Sequence, residues 1–146
     1  MNDSEPFQRA SAAASRFLSY RPRSEAEIRG RLNRRFPPHV VDRVIRSLTE
    51  RALIDDVSFA GLWADSRDTL NPRSASAIRR ELISKGVAAD VADAAVLDID
   101  DNDSAYRAAL GAAQRLAQAN ADTFRRKLWG HLQRRGFSGS VARTTI

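Results

Sequence analysis

The sequence contains no cysteine. Disulfide staples and cysteine-ligated metal centres are therefore excluded. Lysine is almost missing as well: Lys85 and Lys127 stand against 22 Arg. Glycine and proline are scarce, at 7 and 5, while alanine, leucine and arginine are common, a balance that favours helix. No apolar run approaches the ~18 residues needed to cross a bilayer. The opening residues MNDSEPFQRA lack the apolar stretch of a signal peptide. The expectation is a soluble, cytoplasmic protein without membrane contact. Catalytic signatures are also wanting. There is no glycine-rich phosphate loop and no serine nucleophile elbow. His39 and His131 lie far apart in unrelated contexts, with no metal-ligand set around them. The carboxylates fall at helix caps and linkers rather than in an apolar pocket that would shift their pKa values. Neither an enzyme nor a cofactor, metal or small-molecule substrate is expected.

What is present is a basic chain with enough apolar residues to fold. Its 146 residues are 42% hydrophobic, which suits one compact domain or a short array of small units. The net charge is +6 and the pI is about 10.9, which implies an anionic partner, nucleic acid or an acidic protein surface. Arginine carries a planar fork that pairs bidentately with phosphate or carboxylate.

A shift of fifty residues aligns the chain with itself. Pro22-Arg23-Ser24 falls on Pro72-Arg73-Ser74, Ile28 on Ile78 and Leu128, and Leu32 on Leu82 and Leu132. Arg35 falls on Lys85 and Arg135, and Val41 on Val91 and Val141. The fold class this predicts is all-α: an elongated array of three tandem three-helix repeats resembling helix-turn-helix units. Their expected bounds are 1–52, 53–102 and 103–146. No stretch alternates like a strand.

Within each unit the helices are called A, B and C. The first A helix is expected over roughly 5–20, with Phe7, Ala10, Ala14, Phe17 and Leu18 inward. The first B helix starts at Ser24, where Ser24-Glu25-Ala26-Glu27 fits a capping box, and Pro37-Pro38 is expected to end it. Val41, Val44, Ile45 and Leu48 mark the first C helix. In the second unit, A covers about 56–69 with Phe59, Leu62 and Trp63 on one face. B runs over 74–85 and stops at Gly86, and C over 88–98 buries Val91, Ala94, Ala95 and Leu97. In the third, A covers about 104–119, with Tyr106, Ala109, Leu110, Ala113, Leu116 and Ala117 inward. B runs over 122–135 and stops at Gly136, and a short C begins near Ser138.

The positive charge belongs to the B segments. Residues 21–35, 73–85 and 122–135 carry +4, +3 and +4, so the remainder of the chain is negative. Helical geometry points Ile78 and Leu82 inward and Arg80 outward, and gives Arg34 and Arg134 to solvent. Residues 88–103 are the acidic counterpart, with six Asp and no basic residue. Its end, from Asp98 onward, superficially resembles a calcium loop but has Asp103 at the glycine position and Ala109 at the glutamate position. It reads instead as a solvated linker that caps the next helix around Asp103 or Ser104, or as an acidic surface that contacts a partner or restrains the basic helices.

Three stretches together resemble the RecX family of recombinase regulators. The middle unit carries Leu53-Ile54-Asp55-Asp56, Phe59-Ala60, Trp63, Ser66-Arg67, Ile78-Arg79-Arg80-Glu81-Leu82 and Lys85-Gly86-Val87. The third adds Leu132-Gln133-Arg134-Arg135-Gly136-Phe137-Ser138, and the first adds Phe17-Leu18-Ser19, Arg23-Ser24-Glu25 and Glu27-Ile28. Phe36-Pro37 depart from the family's glycine stop, and 121–125 lack the Pro-Arg-Ser approach to a B helix. The resemblance implies a non-enzymatic regulator of three three-helix units. Such a protein binds the RecA recombinase, above all its filament on single-stranded DNA, and lies in the filament groove. It inhibits ATP hydrolysis, strand exchange and the coprotease activity behind the SOS response. Weak direct contact with DNA is a further expectation, and a directly DNA-binding helix-turn-helix-like protein is the alternative. The residues expected at the partner are Arg29, Arg31, Arg34, Arg80, Arg126, Lys127 and Arg134, then Arg67, Arg73 and Arg79.

Overall fold

The computed structural model describes residues 4–146, so the first three residues of the expected first unit lie outside the described residues. Among the described residues nine helices follow one another: α1 (Ser4–Tyr20), α2 (Glu25–Leu32), α3 (Pro38–Glu50), α4 (Asp56–Leu70), α5 (Ala75–Ser84), α6 (Ala89–Ala95), α7 (Asp101–Arg115), α8 (Ala121–Arg134) and α9 (Gly139–Thr145). Among the described residues there is no strand.

The helices gather in threes around separate apolar clusters. Ala10, Ala14, Ile28, Leu32, Val41, Val44 and Leu48 close the first, which joins α1, α2 and α3. Phe59, Ala60, Ala64, Ile78, Leu82, Ala92 and Val96 close the second, from α4 to α6. Ala105, Ala108, Ala112, Leu128, Leu132, Phe137 and Ala142 close the third, from α7 to α9. Each cluster is small, and helices of 7–17 residues hold their shape only through such packing.

Local chemistry sets the boundaries. Ser24 accepts from the Glu27 amide while the Glu27 carboxylate accepts from the Ser24 amide, a complete capping box at α2. Ser74, Asn120 and Ser138 cap α5, α8 and α9 with the side-chain half alone, accepting from the amides of Ala77, Thr123 and Val141. Gly86 and Gly136 take φ of +83° and +90°. Their left-handed turn lets the Val87 amide reach the Leu82 carbonyl and the Phe137 amide reach Leu132, each at 3.1 Å.

Several expectations need correction. α2 ends at Leu32, well before the prolines, and Pro38 instead occupies the first turn of α3, where its missing N–H costs nothing. α7 begins at Asp101 with Asp100 as its cap, earlier than Asp103 or Ser104. Leu62 on α4 is 57% exposed, and Tyr106 and Leu110 on α7 are 56% and 52% exposed. Small residues replace them inside: Ala60 and Ala64 on α4, and Ala105, Ala108 and Ala112 on α7. Alanine lets helix axes approach closely, so the alanine face wins the contact and the large side chains are left outside. On α6 and just beyond it, Ala92 and Val96 are buried, while Ala94 and Leu97 face solvent. Of the residues expected inside α7, Ala109 is buried, Ala113 and Leu116 are half-buried, and Ala117 is exposed.

The triplets are joined end to end through their B helices. The Ser24 hydroxyl at the start of α2 donates to the Lys85 carbonyl at the end of α5, at 2.6 Å. The Ser74 amide at the start of α5 donates to the Arg135 carbonyl just past α8, at 3.0 Å. Beside each junction an aspartate from the next triplet takes a spare amide: Asp56 from Glu25 at 2.9 Å and Asp101 from Ala75 at 2.8 Å. The positive start of one helix thus meets the negative end of the next. Both junctions need a glycine. A Cβ on Gly86 would sit 2.2 Å from the Ala26 Cβ, and one on Gly136 2.6 Å from the Ser74 hydroxyl.

Candidate functional site

The B helices display the cations, but the rest of the fold decides which of them remain available. Arg29 leaves α2 between Glu25 at 3.2 Å and Asp42 of α3 at 2.7 Å. Those two carboxylates hold the Arg29 proton more tightly than usual, the Asp42 bond above all, despite partial burial. Arg79 is paired with Asp93 of α6. Arg67 and Arg73 converge on one carboxylate, Glu81, at 2.9 and 3.5 Å. Four of the ten expected contact residues are therefore already paired inside the chain. Among the described residues Arg31 has no ion pair, and it lies over the Phe17 ring, 5.0 Å from its centroid. Arg34, Arg80, Arg126, Lys127 and Arg134 are exposed, and among the described residues none of the five has an ion pair.

The acidic segment divides its work. Asp93 restrains Arg79 and Asp101 caps α5, whereas Asp90 and Asp98 stay at the surface. Asp68 on α4 binds Arg107 of α7 at 2.8 Å and accepts from Ser104 at 2.7 Å, tying the second triplet to the third. The Asp68 bond, followed by Asp103, raises the Arg107 pKa against the effect of burial.

Aromatic faces carry further cations. The half-buried Trp63 is covered by Arg67 at 4.7 Å and Lys85 at 4.5 Å, with Arg21 at 5.7 Å. Arg23 sits on Phe17 at 3.8 Å. Burial and the neighbouring Arg21 lower the Arg23 pKa. Position-by-position reading missed Arg16, Arg115 and His131 as members of cationic clefts, because each takes its meaning from a side chain on another helix. The fifty-residue register held a signal for one of them: Arg31, Glu81 and His131 occupy the same place. Among the described residues no group of three or more His, Asp or Glu is arranged to hold a metal ion, and no helix is long and apolar enough to cross a membrane.

Compact helix triplets whose second helices abut and carry cations outward define a modular all-helical protein of the three-helix type. Comparison with known proteins gives the particular family. The family model for the first three-helix domain of RecX matches residues 10–48, and that for the second matches residues 55–96. The chain belongs to the RecX family. A curated relative from Prosthecochloris aestuarii, "Regulatory protein RecX", is 34% identical over 147 residues and is matched along 96% of its length, by 100% of this chain. A relative of the same name from Mycobacterium sp. (strain JLS) is 35% identical over 150 residues, covering 96% of this chain and 82% of that protein. The crystal structure of RecX from Lactobacillus salivarius shares the fold, with a TM-score of 0.78 at 21% identity over 98% of this chain and 96% of that one.

Proposed function

We propose that the protein regulates the RecA recombinase. It binds RecA and its nucleoprotein filament on single-stranded DNA and suppresses ATP hydrolysis, strand exchange and coprotease activity. In this way it modulates recombinational repair and the SOS response in the cytoplasm, as a binding protein and not an enzyme. In this reading α7–α9 are a third copy of the same unit, and the units are 1–52, 53–102 and 103–146, in an elongated array. The relatives' shared name as regulatory proteins supports the class of activity.

One observation carries the reading furthest. Arg34, just past α2, and Arg134, at the end of α8, occupy equivalent places, Arg80 lies on α5 between them in the chain, and among the described residues none of the three has an ion pair. Bare cations on or beside each of the three B helices suit a partner that is itself repetitive. Several weak contacts made together give a strong preference for the filament over its free subunit. Arg126, Lys127 and Arg31 add to these cations, whereas Arg29, Arg67, Arg73 and Arg79 hold the helices in place.

The test is recombinase ATPase on single-stranded DNA at ratios well below one chain per recombinase subunit, beside gel shifts on naked duplex. Inhibition at these ratios with weak duplex binding is expected. Strong, salt-steep duplex binding without any effect on the recombinase would instead establish a direct DNA-binding protein.

A further inference from the structure

Among the described residues, open clefts lie between the A and B helices of the two outer triplets. Between α7 and α8 lies a cleft of about 440 Å³ lined by Arg115, Arg126, Lys127, His131 and Arg134, with Ala112 and Leu116 as its apolar floor. Between α1 and α2 lies one of about 230 Å³ lined by Arg16, Arg23, Arg31 and Arg35, with Phe17 and Tyr20. Neither lining includes a carboxylate.

The fifty-residue register explains why the middle groove differs. Where the outer triplets have Ala13 and Ala113, the middle one has Trp63, which fills the space. Where they have Arg31 and His131, the middle one has Glu81, which takes Arg67 and Arg73 as partners. The same groove is thus plugged and neutralised once and left hollow and cationic twice. An uncompensated cluster of cations costs folding energy through self-repulsion, and such a cluster is retained where an external anion relieves it.

We infer that the α1/α2 and α7/α8 clefts are paired sites for the backbone phosphates of single-stranded nucleic acid, and that the α4/α5 groove is their closed structural counterpart. Seven of the eight cations across both clefts apart from His131 are arginines, whose fork matches an oxyanion. Two further features favour single-stranded nucleic acid. Along α8 the cations run from Arg126 to Arg134, a row of about 12 Å at 1.5 Å per residue, longer than one phosphate needs. Tyr20 at the rim of the first cleft is 77% exposed, free to stack on a base beside the charge.

The side chains are also held ready. Arg23 and Arg31 both rest on Phe17, and Arg23 donates to the Phe17 carbonyl at 3.2 Å. The Arg134 guanidinium lies back over Gly130, where a Cβ would meet it at 3.0 Å. Burial, then Arg135, Arg115 and Arg134, push the His131 pKa down, which reports the positive field that an anion would enter. The choice of single-stranded nucleic acid rests on the filament reading above.

The test uses the full chain without recombinase. Fluorescence anisotropy of a labelled oligothymidylate measures binding at moderate salt. The double variant Arg31→Glu/His131→Glu installs the middle groove's carboxylate in both outer clefts. It is expected to bind about tenfold more weakly or worse. Arg46→Glu/Arg51→Gln makes an equal change in charge at exposed positions outside the clefts and is expected to stay within about threefold. Should the glutamates disturb folding, as read by circular dichroism, Arg31→Gln/His131→Gln is compared with Arg46→Gln, each removing one positive charge. Equal losses in cleft and control variants overturn the inference. So does a polyglutamate peptide that displaces the oligothymidylate as well as unlabelled oligothymidylate does, which would make the clefts sites for an acidic protein segment. Duplex DNA that competes equally well overturns the single-strand assignment, and displacement by millimolar inorganic phosphate alone overturns the assignment to a polymer backbone. Recombinase ATPase is read separately, so a failure of the regulatory reading leaves the oligothymidylate result to stand or fall by itself.

Discussion

Replacing Gly86 by alanine tests how the first two triplets are joined. Gly86 has φ +83°, a left-handed conformation that costs an L side chain about 1–2 kcal/mol. The added Cβ would also stand 2.2 Å from the Ala26 Cβ, where carbon atoms normally rest about 3.5–4.0 Å apart. Relief requires α5 and α2 to separate, and overpacking of this kind costs about 1–3 kcal/mol. Together the two terms give a loss of about 2–5 kcal/mol, concentrated at one junction. Urea unfolding followed by circular dichroism measures it. Because stability in such arrays is carried by units and by their nearest-neighbour interfaces, the transition should also become less cooperative. Gly30→Ala is the control: nothing lies within 4 Å of its Cβ position and it sits inside α2, so it should gain about 0.5–1 kcal/mol. Adding Ala26→Gly to Gly86→Ala should restore the packing part and leave the backbone part, and the double-mutant cycle isolates the contact. A Gly86→Ala protein as stable as the parent, or a cycle with no coupling, would refute the abutment of α5 on α2.

Two further outcomes follow from the same junction. Ser24→Ala removes both the α2 cap and the bond to the Lys85 carbonyl, and should cost about 1–2 kcal/mol in the same urea titration, whereas Ser138→Ala, which loses a cap at an exposed position, should cost less. Glu27 gives a pH dependence. Burial raises its pKa, but bonds from Arg21 and the Ser24 amide, with the charge of Lys85, outweigh it and leave the pKa below its ordinary value of 4.5. The folded state therefore binds fewer protons, so this contribution is present above the unfolded pKa and is lost as the pH falls through the folded one. The melting temperature should drop below about pH 4.5 more steeply in the parent than in Glu27→Gln.

Most of the helical plan was readable residue by residue. Ser24, Ser74 and Ser138 announced helix starts, and Gly86 and Gly136 announced stops, because caps and left-handed turns depend on neighbours within five residues. The apolar pairs Ile28/Leu32, Ile78/Leu82 and Leu128/Leu132 identified the buried face of each B helix for the same reason. The errors arose where two faces of one helix were both apolar. On α7 the choice lay between an alanine face and one bearing Tyr106 and Leu110, and hydrophobicity favours the larger residues. Close approach of α8 and α9 favours the smaller ones, and that is a property of the neighbours.

The charges show the same division. The sequence by itself determined that cations concentrate on three B segments at a fifty-residue period, since composition and register are one-dimensional facts. It also determined the family, through motifs spread along the whole chain. Only the tertiary structure decided which cations are spent and which are bare. Arg29, Arg67 and Arg79 meet Asp42, Glu81 and Asp93 across helix contacts, and a Coulomb pairing acts over a few ångströms of space regardless of separation along the chain. The identity of residue 81 was always visible, but its effect on the groove depended on Trp63, Arg67 and Arg73 converging there from another helix and a loop.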